Sequence, residues 1–436
     1  MSSSRTSAIS VGVGDIYSIA LFHVKREAYP IRKWDPEKDL KAGYNVPASK
    51  SVLARDVILL SRMGRSPLQI RREYLAAFSD EEIPGDVKAL LRALDTPSRH
   101  DCGESGTALR FLTAYYAARG GGERHLFTGS SRLAERPMRE LLELLEGGAG
   151  VRFAFRGKPY ALPFELFCRT DAATAYPEVV DASAFPSSQF VSALLLSGAP
   201  SLFLLGEHTA SLPYVDLTVA RMERFGYRFA RSRDSVRLLN PEVTPQLPDS
   251  PPADLGDWSS AWYWIEHLIL QPRLREIHVR NLAFGSAQPD EELFLRLRGD
   301  LGLEAESAST GGVTFRKTIS GLHGEVSDWV IDFSRNPDQY LTIACIALGQ
   351  GRRLIPQGVS ALPLKESDRL GSFEENARRI TGGGETLLNS FGDHRVAMSF
   401  ALLAASPLCP GRFAIDDAAV VAKSYPTFFS ELFPPR

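Results

Sequence analysis

Apolar and polar positions follow one another along this chain in two rhythms. Short runs rich in aromatic and β-branched residues, RHLFTG (Arg124 to Gly129), SLFLLG (Ser201 to Gly206) and REIHVR (Arg275 to Arg280), predict strands. Between them lie longer stretches whose apolar residues recur at helical spacing, and the alternation predicts an α/β protein. In LNPEVTPQLPDSPPADLGD, Leu239 to Asp257, five prolines fall between Pro241 and Pro252. Proline at that density opposes both helix and central strand, so the segment predicts a linker between two halves of similar length.

The helical stretches share one feature: a polar or charged group stands directly before the apolar run. It recurs in PASKSVLARDVILL from Pro47, ESGTALRFL from Glu104, FPSSQFVSALLL from Phe185, GDWSSAWYWIEHLIL from Gly256, NPDQYLTIACIAL from Asn336 and GDHRVAMSFALLA from Gly392. Each alone reads as a helix cap. Taken together they suggest more, because a helix start offers free N–H groups and the positive end of the macrodipole, and so attracts anions. Several starts also carry a cation or hydroxyl within a turn: Lys50, Ser51 and Arg55; Thr107 and Arg110; Ser187, Ser188 and Gln189; His394 and Arg395. If they converge, they suit a ligand with several phosphate or carboxylate groups.

Composition narrows the classes. The 436 residues are 44% hydrophobic and 23% charged, which fits a globular protein with sizeable cores. A net charge of −2 supplies no global field for nucleic acid or an anionic membrane. No run reaches the roughly 18 apolar residues of a spanning helix, and the Ser-rich start, interrupted by Asp15 and His23, makes a poor signal or transit peptide. Cys102, Cys168, Cys345 and Cys409 form no CxxC pair and read as reduced thiols of a cytoplasmic protein. VPASKS lacks the glycines of a phosphate loop, and Gly12 to Gly14 is too short for a dinucleotide fingerprint. The eight histidines show no metal-binding spacing, His208, His267 and His278 reading as structural or surface residues. Neither a metal nor an organic cofactor is expected.

One stretch gathers charge unusually: LPLKESDRLG, Leu362 to Gly371, sets Lys365, Glu366, Asp368 and Arg369 at the start of a helix predicted from near Leu364 or Ser367 to about Gly382. Cations there oppose the helix dipole, unless an anion binds. Asp368 reads as a cap.

Read in order, PASKS-x3-R (Pro47 to Arg55), GTALRFL, TGSSRLAERP (Thr128 to Pro137), SSQFVSALLLS, SLPY (Ser211 to Tyr214), GDWSSA, Pro337-Asp338, KESDR, DHRVAM and KSYPTFF (Lys423 to Phe429) resemble the 5-enolpyruvylshikimate-3-phosphate synthase family, from Pro47 to Phe429. The resemblance implies two similar α/β domains, each of three repeated βαβαββ-type units in an inside-out α/β barrel, with the active site in the interdomain cleft. It places residues 48–254 in the N-terminal-type domain, and 1–47 with 255–436 in the C-terminal-type domain. It implies a monomer without cofactor that moves the enolpyruvyl group of phosphoenolpyruvate to the 5-hydroxyl of shikimate 3-phosphate, by addition and elimination, releasing phosphate on the route to chorismate and aromatic amino acids.

Carried over by motif, Ser51, Arg55, Ser187, Ser188 and Ser211 hold shikimate 3-phosphate, while Lys50 and Gln189 reach both substrates. Arg132, Arg369, Arg395, Lys423 and the backbone at Gly106 hold phosphoenolpyruvate; Thr107, Lys365 and His394 complete the binding set. Asp338 takes the hydroxyl proton, Glu366 delivers one to the methylene carbon, and Lys50 and Lys423 stabilise developing charge. Cations around Glu366 oppose an acid role. The chain departs from the family pattern at Ala48 (usually Gly), Glu104-Ser105 (usually Asn-Ala), Trp258 (usually small), Pro289 (usually Gly in QxD) and Ala361 (often polar), and is short from Gly382 to Ser390. A sister transferase acting on a UDP-sugar usually carries a loop cysteine that has no counterpart here. An RNA 3′-phosphate cyclase relative would need a nucleotide-accepting His and a basic surface, and an anion-binding scaffold would need neither Asp338 nor Glu366.

Overall fold

The structure is a computed structural model that describes residues 28–170, 176–183, 185–206, 212–247, 255–318 and 328–435. The N-terminal segment considered for targeting, His208, Ser211 and the proline-rich residues 248–254 lie outside these.

Two hydrophobic cores organise the chain. One is built between Ala48 and Leu255, the other from Ile31 to Val46 together with Trp258 to Leu432. The chain passes between them twice, and the two passages are paired. Ala48 bridges Gly256, Ser49 N donates to Leu255 O at 2.6 Å, and Asp257 N donates to Pro47 O at 3.0 Å. A Cβ on Gly256 would lie 2.0 Å from Asn281 O, so this contact needs glycine. Ala48 is not among the described non-glycine residues with positive φ, Tyr160, Ala287 and Phe391, so its methyl group fits without strain.

A βαβαββ unit appears in full twice in the first body. Arg99–Asp101, helix Gly106–Arg119, Arg124–Thr128, helix Arg139–Ala149, Arg152–Phe155 and Phe164–Phe167 form one. Val179–Asp181, helix Ser188–Ser197, Leu202–Leu204, helix Pro213–Arg224, Phe229–Arg231 and Ser235–Leu238 form the other. In both, the first two strands are parallel, while the last strand lies antiparallel between the second and third. In the second body, helix Trp258–Leu270 and strands Glu276–Val279, Leu303–Ser307 and Val313–Lys317 repeat the pattern, with Tyr44 bridged parallel to Val279 in place of the first strand. The three predicted strands are among these elements.

All six expected helix starts are present, at Lys50, Gly106, Ser188, Trp258, Tyr340 and His394. Four are capped by the side chain in front: Ser105 accepts from Ala108 N, Ser187 from Gln189 N, Asp257 from Ser260 N and Asp393 from Arg395 N. The other two are not. Ser49 Oγ turns to Gln288 Oε1 at 2.9 Å, and Asn336 precedes a 3₁₀ turn, Pro337–Gln339, whose start its side chain does not cap.

The charged stretch starts its helix later than expected. Leu362–Leu364 is a 3₁₀ turn, Lys365 is extended, and the helix runs Arg369–Gly382 with Asp368 accepting from Leu370 N and Gly371 N. Asp368 is therefore the cap, and Lys365 and Glu366 stand free of the helix, ahead of its N-terminus.

Candidate active site

One cleft between the two bodies collects most of the expected residues. Lys50, Ser51, Arg55, Gly106, Thr107, Ser187, Ser188 and Gln189 line it from the first body, and Asp338, Lys365, Glu366, Arg369, Arg395 and Lys423 from the second. The helix starts at Lys50, Gly106, Ser188 and His394 and the turn that carries Asp338 meet at this opening, while the start of the Trp258 helix is not part of its lining. Arg132 lines an adjoining pocket with Lys365, Glu366 and Lys423, and its Nη2 crosses the cleft to Lys365 O at 3.0 Å. His394 lies buried just behind, with no hydrogen-bond partner on either ring nitrogen. Burial, reinforced by Lys50, keeps that ring neutral.

The two carboxylates sit at the centre of the cations. Asp338 is within 3.2 Å of Lys365 Nζ, 2.8 Å of Arg369 Nη1 and 3.5 Å of Arg395 Nη2. Glu366 is 2.9 Å from Arg369 Nη2 and 3.1 Å from Lys423 Nζ. Burial would raise the proton affinity of both. For Asp338 the charges of Lys365, Arg395, Arg369 and Lys50 outweigh it, and for Glu366 those of Lys423 and Arg369, so both carboxyls lie well below the usual range. Arg369 is 1% exposed and spends its fork on three acids, since its Nε also donates to Asp393 Oδ2 at 2.9 Å. This is a fixed hub, held by charge-assisted bonds.

Two arginines of the first body bond no carboxylate. Arg55 donates only to neutral oxygens, at Thr218, Ser51, Tyr214 and Ser192. Burial pulls its guanidinium down to about 10. Arg110 holds Gln189 Oε1 at 2.6 Å and Pro137 O at 3.0 Å, and burial beside Arg136 pulls it down to about 9. Gln189 passes this order on, donating to Thr107 Oγ1 at 3.0 Å. Arg395 Nη1 is buried without a partner. A buried guanidinium with spare donors is set up for an anion.

Several lining residues carry no role in the sequence reading: Asp86, Arg136, Phe111 and Tyr214. Arg136, Phe111 and Tyr214 lie inside quoted motifs, TGSSRLAERP, GTALRFL and SLPY. Asp86 has no local signal beyond a helix start, and reaches the cleft because helix Gly85–Asp95 packs there, 3.8 Å from Lys50 Nζ. Glu104 faces the cleft and, with Asp86, adds to the negative field on Lys423. The four cysteines are free, and none lines the cleft. Among the described residues no three metal-ligating side chains are grouped to hold an ion, and no helix is long and apolar enough to cross a membrane.

Known proteins are similar to this chain along most of its length. A protein from Methanoculleus marisnigri named 3-phosphoshikimate 1-carboxyvinyltransferase is 32% identical over 431 residues, covering 90% of this chain and 96% of that one. One of the same name from Bacteroides fragilis is 29% identical over 424 residues, with 90% and 95% covered. The fold is also that of the EPSP synthase from Acinetobacter baumannii, with a TM-score of 0.65 at 17% identity over 93% of this chain and 97% of the other. An enolpyruvyl transferase from Streptomyces tendae, NikO, superposes with a TM-score of 0.59 at 12% identity over the same shares. The family model described as EPSP synthase (3-phosphoshikimate 1-carboxyvinyltransferase) matches residues 76–432, and the chain belongs to that family.

Proposed function

We propose that this cleft carries out the transfer for which the family is named, moving the carboxyvinyl group of phosphoenolpyruvate to the 5-hydroxyl of shikimate 3-phosphate with release of phosphate. The observation that carries the reading is the meeting of cations from both bodies around two ionised carboxylates. Each substrate bears a phosphate and a carboxylate, and such ligands repel one another unless fixed cations lie between them.

In this reading the first body takes shikimate 3-phosphate on Ser51, Arg55, Ser187, Ser188 and Ser211, and Lys50 and Gln189 reach both ligands. Phosphoenolpyruvate lies against Arg132, Arg369, Arg395, Lys423 and the N–H groups at Gly106, with Thr107, Lys365 and His394 completing the walls. Asp338 takes the proton of the attacking hydroxyl as its oxygen bonds to C2 of phosphoenolpyruvate. Glu366 gives a proton to C3, forming a tetrahedral intermediate. Elimination then returns a proton from C3, breaks the C2–O bond to phosphate and restores the double bond. Lys50 and Lys423 steady the charge on the reacting groups. The free cysteines support a reducing compartment such as the cytoplasm.

Phosphate release from phosphoenolpyruvate, followed with and without shikimate 3-phosphate, tests the reading. Release that depends on shikimate 3-phosphate is expected. Release independent of it, or dependent on a UDP-sugar instead, overturns the reading.

A further inference from the structure

Gln288 to Asp290 is a segment of the resemblance to which no role in the cleft falls, and it is buried, Gln288 at 4% and Asp290 at 3% exposure. Its partners are the two helix starts that lack side-chain caps and the start of the Trp258 helix. Gln288 Oε1 accepts from Ser49 Oγ at 2.9 Å and Trp258 N at 3.1 Å, and Nε2 donates to Gly256 O at 2.8 Å, where the chain passes between the bodies. Asn336 Nδ2 donates to Pro289 O at 2.9 Å and Asp290 Oδ1 at 3.4 Å, and Ser259 Oγ donates to Asp290 Oδ2. Ser49 directly precedes Lys50, and Asn336 stands two residues before Asp338. One short segment thus braces the backbone beneath a cation and a carboxylate of the cleft.

The groups facing the Asp290 carboxyl come from four elements: Arg395 at the start of the His394 helix, Asp338 in the 3₁₀ turn, Asp257 ahead of the Trp258 helix, and Tyr214 in helix Pro213–Arg224. Burial pushes this carboxyl up to about 6, against the Ser259 hydroxyl and the charge of Arg395.

We propose that Asp290 is a positioning residue of the reaction: through Asn336 it fixes the turn that presents Asp338, and its charge, set against Arg395, strengthens Asp338 as a base. The inference rests on the reading of Asp338 as that base. Lys365, Arg369 and Arg395 all weaken the Asp338 carboxylate as a proton acceptor. A second carboxylate nearby acts in the opposite sense, because like charges make each other hold protons more tightly. When Asp290 takes up a proton that compensation is lost, so turnover falls as pH drops through the region near 6.

The test is the pH dependence of kcat between about 5 and 8 for the natural enzyme, Asp290→Asn, Ser259→Ala and Asp338→Ala. Asp290→Asn is expected to lower kcat roughly tenfold, part of the roughly 100- to 10,000-fold that a general base carries, with KM little changed and the fall near pH 6 absent. Ser259→Ala keeps the carboxyl but removes a donor that favours its ionised form, so the fall moves to higher pH. This second variant gives an answer even where Asp290→Asn does not fold. Asp338→Ala retaining turnover overturns the base reading and this inference with it. An inactive Asp338→Ala beside an unmoved fall in Ser259→Ala overturns the role of Asp290 alone.

Discussion

Arg369 bonds Asp338, Glu366 and Asp393 at once, and the charges of Asp338 and Glu366 are held by that guanidinium together with Lys365 and Lys423. Removing Asp338 frees Lys365, Arg369 and Arg395 together. Asp338→Ala is therefore expected to bind shikimate 3-phosphate at least as tightly by calorimetry while losing at least about a hundredfold in turnover. Unchanged turnover would falsify the base assignment. Glu366 presents the opposite problem, since an acid catalyst must hold a proton that Lys423 and Arg369 drive off. Substrate anions that engage those cations withdraw their charge from Glu366 and raise its proton affinity. The ternary complex should then take up a proton at pH 7, seen as a binding enthalpy that varies with the ionisation heat of the buffer. Glu366→Gln should abolish that variation; if the variant keeps it, the proton goes elsewhere.

Four of the helix starts were legible because capping is local chemistry: a Ser or Asp before an apolar run shows its role within a few residues, whereas Ser49 and Asn336 precede helices that their side chains do not cap. The sides of those helices were less legible. GDWSSAWYWIEHLIL reads as a helix burying one face, yet all thirteen residues of Trp258–Leu270 are buried, Glu266 and His267 included. The helix lies at the centre of the second core, between Tyr340–Gln350 and His394–Ala405, and no local pattern reports that. Asp86 was missed for the same reason, and Tyr214 and Asp290, although inside matched segments, carried no expected role because long-range packing alone brings them to the cleft or against it. The linker was overread: Asn240 is buried, Val243 packs on the first core, and Gln246 N bonds Phe225 O. Burial of Glu266 has a measurable consequence. Neither oxygen has a well-formed hydrogen bond, and burial, only partly opposed by the Ser399 hydroxyl, holds the carboxyl protonated in the folded chain. In the unfolded chain it ionises above about pH 4.3, so folding must bind a proton and stability falls as pH rises from there, by up to about 1.4 kcal/mol per unit. Gln cannot ionise. Glu266→Gln should thus gain on the natural chain in thermal unfolding as pH rises from 5 to 8, and an equal difference at both pH values would show that Glu266 is not held neutral.

The chain connects the two bodies at the paired passages Pro47–Ser49 and Leu255–Asp257, stitched by Gln288, and Arg132 bonds across the cleft to Lys365 O. Among its described lining residues, Lys50, Arg55 and Arg136 face Asp86 and Glu104 on the first body, while Lys365, Arg369, Arg395 and Lys423 face Asp338 and Glu366 on the second. Both walls are thus net positive and repel across the gap, although the whole chain has a net charge of −2. A ligand with a phosphate at one end and a carboxylate at the other reverses the sign of that interaction, since each wall then meets an anion. The walls should accordingly close on the pair of ligands by rotation about the two passages. Salt should act on the free protein in the same direction, because at about 0.15 M like charges on opposite walls are screened over about 8 Å. Small-angle scattering on the free protein should therefore give a radius of gyration that is larger at low salt and falls as salt is added. With shikimate 3-phosphate and a phosphoenolpyruvate analogue it should sit near the roughly 22 Å of a compact chain of this length at every salt concentration. A free protein already at that value in low salt, with no change on adding both ligands, would mean that the hinge does not move and that substrates enter a cleft already closed.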